Sequence, residues 1–491
     1  MQRHGRSVLS TLCGVSAAAT QGGSRRLGAP DRLSGLDASF LYNETATEHM
    51  HTLKLAVLDP PEVTLTTDAM REAIGSRMER WPAFVRRVVR VPGDLHHPVW
   101  VNSAELDLDH HVVTERIPDP GDDAAMDLAV GRLAGVPLDR SRPLWQVVLL
   151  EGRADGRMAV LVKLHHCVAD GLAANALLQG LVGDGASPPG AGEPTPTPGG
   201  RRLLADASVD LVADLRRLPA VMAGVRRATG RRSQVLADLR RSGGELPPRP
   251  ILDTPRTSLN RAISAERSVA TTRIDLRPVL EVRAREEVSV NDVFLTLVGG
   301  ALTDVLRSRG EHPHSSLTAS VPVASEVPDP GGADLRRSGN KLSNLFVSLH
   351  TELTDPTERL HAVHTATSSA KRLHDALGAE VMESLLAYTP PKPYRWAMKT
   401  YSGLDLADRH RAPANVIASN VPGPRESLEV AGARIVDFYS AGPVLEGIGV
   451  NVTAWSYTDH MDIMVIACAR ALPEPRRVTD AMCRELARLS S

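Results

Sequence analysis

His165-His166-Cys167-Val168-Ala169-Asp170-Gly171 packs an imidazole pair, a carboxylate and a glycine into one short stretch, and its flanks decide how the surrounding chain folds. Before it, Met158-Ala-Val-Leu-Val-Lys-Leu164 is a short apolar β-type run, and after it Leu172-Ala-Ala-Asn-Ala-Leu-Leu178 reads as a buried helix. The block therefore sits at a strand-to-helix turn. An imidazole, with an unperturbed pKa of about 6.5, can take a proton at neutral pH and return it later, which is the profile of a general base. On these residues alone a second reading stays open: a satisfied histidine pair beneath a capped helix.

Working outward, Trp145-Gln-Val-Val-Leu-Leu150 precedes the Met158 run across the turn-rich Gly152-Arg-Ala-Asp-Gly156, so the two form a hairpin that delivers the histidines at a sheet end. Ordered structure is expected from about Leu33, with residues 1–30 a disordered leader and a first α/β domain over 31–183. Ser7 to Ala19 follows a basic start, but Ser, Thr and Gly break its apolar character, so a cleaved signal is the weaker reading. The Pro/Gly-rich run from Gly183 to Gly200 cannot bury a core and opens a connector over 184–256. Arg201 to Arg241 carries ten Arg against four Asp, with Leu203, Leu211, Leu215, Leu218, Val221 and Val225 forming an apolar side. Such a segment suits either an interdomain helix with a solvated Arg face or contact with an anionic lipid surface, and Pro219 should break or kink it. A second domain, 257–491, is expected to hold a helix opened by the capping box Ser289-Val-Asn-Asp292. It should also hold a hairpin of Val450–Tyr457 and Met461–Ala467 about Thr458-Asp-His460.

Composition narrows the function classes. At 491 residues the chain is long enough for two or three domains, and 42% hydrophobic content with only 3% aromatic implies cores of Leu, Val, Ala and Ile. A formal net charge of −1 gives no overall basic excess, so nucleic acid is not an expected partner. Cys13, Cys167, Cys468 and Cys483 are scattered without a C-x-x-C pair, which argues for a reducing cytoplasm and against a zinc or disulfide framework. No run of about 18 apolar residues occurs, so a spanning helix is not expected.

Three His-His pairs occur. His96-His97 reads as loop, His110-His111 as a strand-like segment with packing roles, and only His165-His166 is followed by a carboxylate and a glycine. In an extended chain neighbouring side chains diverge, so at most one of His165 and His166 meets substrate. Asp170 can cap the helix, bind an arginine or hold an imidazole, and Gly171 lets the backbone turn sharply. A metal site and a Cys167 nucleophile served by His166 are weaker readings, for want of a third spaced ligand and because adjacent side chains diverge. G-x-S-x-G, a Walker loop and a strand-borne G-x-G-x-x-G are all absent. A base without an obvious protein nucleophile fits direct transfer, in which histidine activates a substrate hydroxyl that attacks an ester or thioester.

H-H-x-x-x-D-G after a strand resembles the signature of the chloramphenicol acetyltransferase-like superfamily of CoA-dependent acyltransferases. Leu33-Ser-Gly-Leu-Asp-Ala-Ser-Phe40, Met50-His51, Pro143-Leu144-Trp145, Leu259-Asn260, Val290-Asn291-Asp292, Gly339-Asn340 with Asn344, and Ser419-Asn-Val-Pro-Gly-Pro424 occur in order. Together they resemble the bacterial wax ester synthase/diacylglycerol acyltransferases over about residues 31 to 488. Val321-Pro-Val-Ala-Ser-Glu326 departs in carrying Glu where a basic residue is expected, and Thr47-Glu-His49 replaces a more Pro-containing approach to Met50-His51. Both departures bear on substrate preference.

The resemblance implies two α/β domains of the chloramphenicol acetyltransferase type with a tunnel at their interface. It makes His166 the general base and His165, Asp170 and Gly171 its support, with Asp170 held by an arginine. Asn291, near the tunnel, becomes a candidate for stabilising the thioester oxygen or for plain capping. Acyl-CoA would be the co-substrate and diacylglycerol or a long-chain alcohol the acceptor, with no permanently bound cofactor and no metal. The location would be cytoplasmic, peripheral to the inner membrane face or to lipid droplets. Three other readings stand beside it: a condensation-type or polyketide-linked transferase fed by a carrier protein, an H-x4-D glycerolipid acyltransferase, whose companion block is missing, and a silent lipid-binding homologue.

Overall fold

The computed structural model describes residues 31–60, 65–78, 82–103, 106–168, 196–324, 342–378, 384–430 and 432–491. The expected leader, Asp170, Gly171, the helix after them, most of the Pro/Gly-rich run, Glu326 and Gly339-Asn340 lie outside those residues. The first part of the chain runs β1 (Asp31–Arg32), α1 (Gly35–Asn43), β2 (His51–Leu58), α2 (Thr67–Met78), β3 (Arg86–Val89), β4 (Val99–Asn102), β5 (Val112–Arg116), α3 (Asp123–Ala134), β6 (Trp145–Glu151), β7 (Met158–His165) and α4 (Gly200–Arg241). After it come β8 (Arg267–Asp275), α5 (Leu276–Arg285), α6 (Val290–Ser308), β9 (Thr318–Ala324), β10 (Leu342–Ser348), α7 (Pro356–Leu377), α8 (Pro391–Gly403), β11 (Val416–Pro422), β12 (Glu429–Val430), β13 (Ala433–Ala441), β14 (Val450–Tyr457), β15 (His460–Cys468) and α9 (Arg476–Ser490).

Two six-stranded sheets carry the fold, ordered β12-β13-β2-β7-β6-β5 and β10-β9-β11-β14-β15-β8, with a small sheet β1-β4-β3 beside them. Both hairpins expected from the sequence are present, β6 with β7 and β14 with β15. The division at residue 257 does not separate the sheets, however. β13 pairs antiparallel with β2, Phe438 opposite Ala56, so the C-terminal part of the chain supplies edge strands to the first sheet. Pairing at such sequence separation leaves no local signature.

The first sheet is apolar on both faces because its strands alternate between two cores. Trp145, Val147, Leu149, Val160 and Val162 face one cluster, whereas Val148, Leu150, Ala159 and Leu161 join Val269, Met464 and Ile466 of the second sheet in another. Each such side chain contributes about 1.5–3 kcal/mol on burial, so the contact between sheets is a core rather than a seam. In the second half, α6 is held at its start by the reciprocal bonds of Ser289 and Asp292 and is buried along Val293, Leu297, Ala301 and Leu302. Gly300 lets α7 and α9 close over it: a Cβ there would lie 2.6 Å from the Glu485 carboxyl carbon.

Two local expectations need correction. Leu108–His111 is a four-residue helix, not a strand, because Asp107 caps it through the His110 amide; the buried His111 then stacks on Trp145 at 4.1 Å. The connector α4 runs unbroken through Pro219, where Leu215, the residue whose carbonyl loses its partner, is 56% exposed and open to water. The buried contacts of α4 lie toward its ends, at Leu203, Ala207, Ala228 and Leu239, while Val212, Leu215 and Met222 between them are exposed. No single helix among the described residues is long and apolar enough to cross a membrane.

Candidate active site

The histidine pair is placed by backbone bonds from three separate segments. β7 runs antiparallel to β2 with His165 directly opposite His51, and the His166 amide donates to the Met50 carbonyl at 2.7 Å. The His165 amide donates to the Leu144 carbonyl at 3.0 Å, so both Met50-His51 and Pro143-Leu144-Trp145 act as backbone supports of the block. Trp145 is itself fixed, its indole donating to the Phe84 carbonyl at 2.8 Å.

The two histidines then part. His165 is fully buried; its Nδ1 accepts from the Cys167 amide at 3.1 Å and its Nε2 lies 3.3 Å from Glu44 Oε2. Burial pushes the His165 pKa down, against the pull of Glu44, so this ring is neutral near pH 7. Glu44 is itself nearly enclosed, and burial would raise its pKa. Contact with His165 and the guanidinium of Arg140 instead holds it down to about 2. Arg140 Nε donates to Glu44 at 2.6 Å and another of its nitrogens to the Leu41 carbonyl at 2.7 Å. His166, 8% exposed, packs against Phe40 with the rings tilted by 31° and their centroids 4.3 Å apart.

Phe40 and Glu44 lie one helical turn apart at the end of α1, which is how one face of that helix reaches both imidazoles. The helix can sit there because Gly35 has no side chain: a Cβ would come within 2.3 Å of the Ala387 backbone nitrogen. Neither Glu44 nor Arg140 was picked out from sequence. The only local sign is the Phe40 to Glu44 spacing, since Arg140 joins from a separate loop.

Asp170 and Gly171 fall outside the described residues. Asn291 is half-buried on the first turn of α6, where Ser289 and Asp292 already close the cap, and Asp292 reaches His364 of α7 at 2.9 Å. Among the described residues Asn291 makes no hydrogen bond to the histidine pair. Cys167 is 2% exposed and its thiol pKa is raised well above normal by burial, which disfavours the nucleophilic thiolate. His96 and His97 lie in a loop as expected, but buried: His97 accepts or donates with Tyr42 at 2.7 Å, and His96 with Asp214 of α4 at 3.1 Å. Asn260 donates to the Ala414 and Gly447 carbonyls at 3.0 and 2.8 Å, a structural tie in the second half.

A histidine pair at a strand end, on paired sheets of this order, is the arrangement of the chloramphenicol acetyltransferase-like fold with two such subdomains. The sequence narrows that class. Residues 33–294 match the wax ester synthase/diacylglycerol acyltransferase catalytic domain and residues 338–490 the WS/DGAT C-terminal domain, so the chain belongs to that acyltransferase family. A Mycobacterium tuberculosis H37Rv protein provisionally named a diacylglycerol O-acyltransferase is 36% identical, over 92% of this chain and 94% of its own length. A second H37Rv protein with the same provisional name is 33% identical, over 90% and 93%. Among solved structures, the wax ester synthase/diacylglycerol acyltransferase of Marinobacter aquaeolei VT8 is 25% identical with a TM-score of 0.64, covering 93% of this chain and 98% of its own. The first condensation domain of the CDA synthetase shares the fold at 14% identity, with a TM-score of 0.52 over 95% and 96% of the two chains.

The Glu44 contact gives a first expectation. Glu44→Gln keeps shape but removes the charge that faces His165 and Arg140. Because positional errors of about 1 Å can cost up to about 10²-fold, the loss should approach that in kcat with KM little changed. With a folded pKa near 2, the stabilisation from Glu44 is present above about pH 4.5 and disappears as pH falls toward 2, so no kinetic pKa near neutrality should vanish in the variant. A drop confined to KM would show that Glu44 acts on binding instead.

Proposed function

We propose that the protein transfers a fatty acyl group from acyl-CoA to the hydroxyl of diacylglycerol, forming triacylglycerol, and that it also accepts long-chain alcohols to form wax esters. The observation that carries this reading is the family's histidine just past the end of β7, packed against Phe40 beside a sibling imidazole that burial pushes toward its neutral form. His166 takes the proton from the acceptor hydroxyl, and the oxygen attacks the thioester carbonyl carbon. As the carbon–sulfur bond breaks, the imidazolium returns that proton to the CoA thiolate, leaving ester and free CoA. Glu44 and Arg140 are positioning residues acting through His165. The family resemblance gives Asp170 and Gly171 a supporting part in the motif, and Asn291 is the candidate donor to the thioester oxygen, in a tunnel between the subdomains. The reaction needs no resident cofactor or metal.

Purified protein given labelled acyl-CoA with diacylglycerol or hexadecanol should yield neutral lipid and one CoA per ester. Turnover with an acyl carrier protein and none with acyl-CoA would favour the condensation-type reading. Acyl-CoA binding without turnover on any hydroxyl would favour the silent one.

We place the enzyme in the cytoplasm at a lipid surface, reached through α4. The support is the exposed apolar middle of that helix beside Arg216, Arg217, Arg226 and Arg227, with Trp396 of α8 70% exposed. Val212→Glu with Leu215→Glu should reduce flotation with anionic liposomes several-fold, about 1 kcal/mol per added repulsive charge near the surface, while turnover of a detergent-dispersed acceptor holds. Equal loss of both would make the helix only a connector.

A further inference from the structure

Where the two large sheets meet, a cluster of charged side chains stands apart from the histidine pair. Asp437 on β13 lies opposite Val57, six residues along β2 from His51, which puts it about 20 Å along that strand from the histidines at about 3.3 Å per residue. β15 of the second sheet supplies His460 and Asp462, which share a face because they are two residues apart in a strand. All three residues are at most 9% exposed. Each puts one nitrogen or oxygen within 4.8 Å of those of the other two.

His460 Nδ1 lies 3.0 Å from the Asp459 carboxylate, a bond that draws the ring proton to Nδ1 and leaves a lone pair on Nε2. That Nε2 and Asp462 Oδ1 are buried and make no hydrogen bond among the described residues, a costly state unless something answers them. His460 Nε2 is 3.2 Å from Asp462 Oδ2, and neighbouring ligands of a tetrahedral zinc ion, with bonds of about 2.0–2.2 Å, are about 3.3 Å apart. Asp462 Oδ2 also accepts the Phe438 amide at 2.7 Å, and the Tyr457 ring packs edge-on against His460 at 5.6 Å, so both side chains are held in place. The cluster is short of positive charge. Arg273 of β8 pairs with Asp437 Oδ1, and its Nε is 3.7 Å from Asp462 Oδ1. Lys54 of β2 is turned to Ser440 and to the face of Trp455. Against these two cations stand Asp437, Asp459, Asp462 and Asp275, the last opposite His460 in the ladder of β8 with β15. With His460 neutral, four carboxylates and two cations leave a net charge of −2, which a divalent ion cancels. Arg273 is 41% exposed and can shift toward solvent as the ion enters.

We propose that Asp437, His460 and Asp462 bind a zinc ion that pins β13 of the first sheet to β15 of the second, with Asp459 orienting the imidazole from outside. Three protein ligands leave the fourth position of the ion to water. The imidazole selects zinc over magnesium and calcium, which take oxygen ligands. The ion holds the sheets together and takes no part in acyl transfer, so the site does not depend on which acceptor the enzyme uses.

The test strips the full-length protein with EDTA, adds zinc sulfate, and reads metal content by mass spectrometry and affinity by competition with a chromophoric chelator. The wild type should retain one zinc per chain, and excess zinc should raise its melting temperature by a few degrees. Asp459→Asn should weaken binding about 10–100-fold, the usual cost of losing an outer partner, and His460→Gln should weaken it further and remove the melting shift. Because Asp459 is 95% exposed, its variant keeps the fold and reads the site even if substitution at His460 unfolds the protein. A wild type that retains no zinc would overturn the proposal. Wild-type affinity in either variant would also overturn it, since the ion would then be held by histidines elsewhere. Magnesium displacing zinc at equal concentration would mean a site of carboxylates alone and would overturn the part given to the imidazole. None of these readouts needs turnover, so they stand apart from the acyl-transfer assay.

Discussion

His166→Ala is expected to lower CoA release from acyl-CoA by about 10²–10⁴-fold, the range for removing a positioned general base. The fall should appear in kcat with every acceptor, because the proton transfer is common to all of them. Folding should survive, since what fixes this position is its backbone bond to Met50 and the flanking β7 ladder, neither of which needs the imidazole. His165→Ala should behave differently. Its ring is fully buried and faces Glu44, so its removal leaves a carboxylate with Arg140 as its remaining partner and opens a cavity in the support. That variant should lose thermal stability as well as rate. Wild-type rates in His166→Ala would overturn the mechanism proposed above, whereas equal melting losses in both variants would mean that the two rings share a structural role.

The different surroundings of the two rings, His165 toward Glu44 and His166 toward Phe40, were legible in the sequence because successive side chains at a strand end diverge. Local hydrogen bonding also made α6 legible, as Ser289 and Asp292 announce the helix within four residues. Hairpins were legible for the same reason, their strands being adjacent in sequence. What escaped was non-local. Glu44 and Arg140 meet His165 only after three distant segments come together, and no spacing rule predicts that contact. β12 and β13 cross into the first sheet from the far end of the chain, so a boundary drawn from composition at residue 257 could not anticipate them. The error at His110-His111 was of a third kind. Apolar and β-branched neighbours suggested a strand, and a single Asp107 cap was enough to wind four residues before β5 begins. The break expected at Pro219 does not occur: the helix continues through it, with Leu215, whose carbonyl loses its partner there, on the exposed side.

Arg359→Met should cost about 3–5 kcal/mol, the usual consequence of stranding one member of a buried ion pair. Arg359 on α7 and Glu485 on α9 are 2% and 4% exposed and meet directly above Gly300 of α6, with a second Arg359 bond to the Leu353 carbonyl. The pair thus ties together the helices that cover the second sheet. Removing the guanidinium leaves the Glu485 carboxylate in an apolar setting with Arg488, at 3.0 Å and 55% exposed, as its remaining cation. That partner is well solvated and screened, so it should offset only a small part of the loss. Because the penalty comes from the unpaired charge more than from the lost attraction, Arg359→Met with Glu485→Leu should recover most of the stability. Denaturant unfolding of the single and double variants would measure this. A double variant less stable than Arg359→Met alone would show that the attraction itself, and not relief of a buried charge, holds these helices on the sheet.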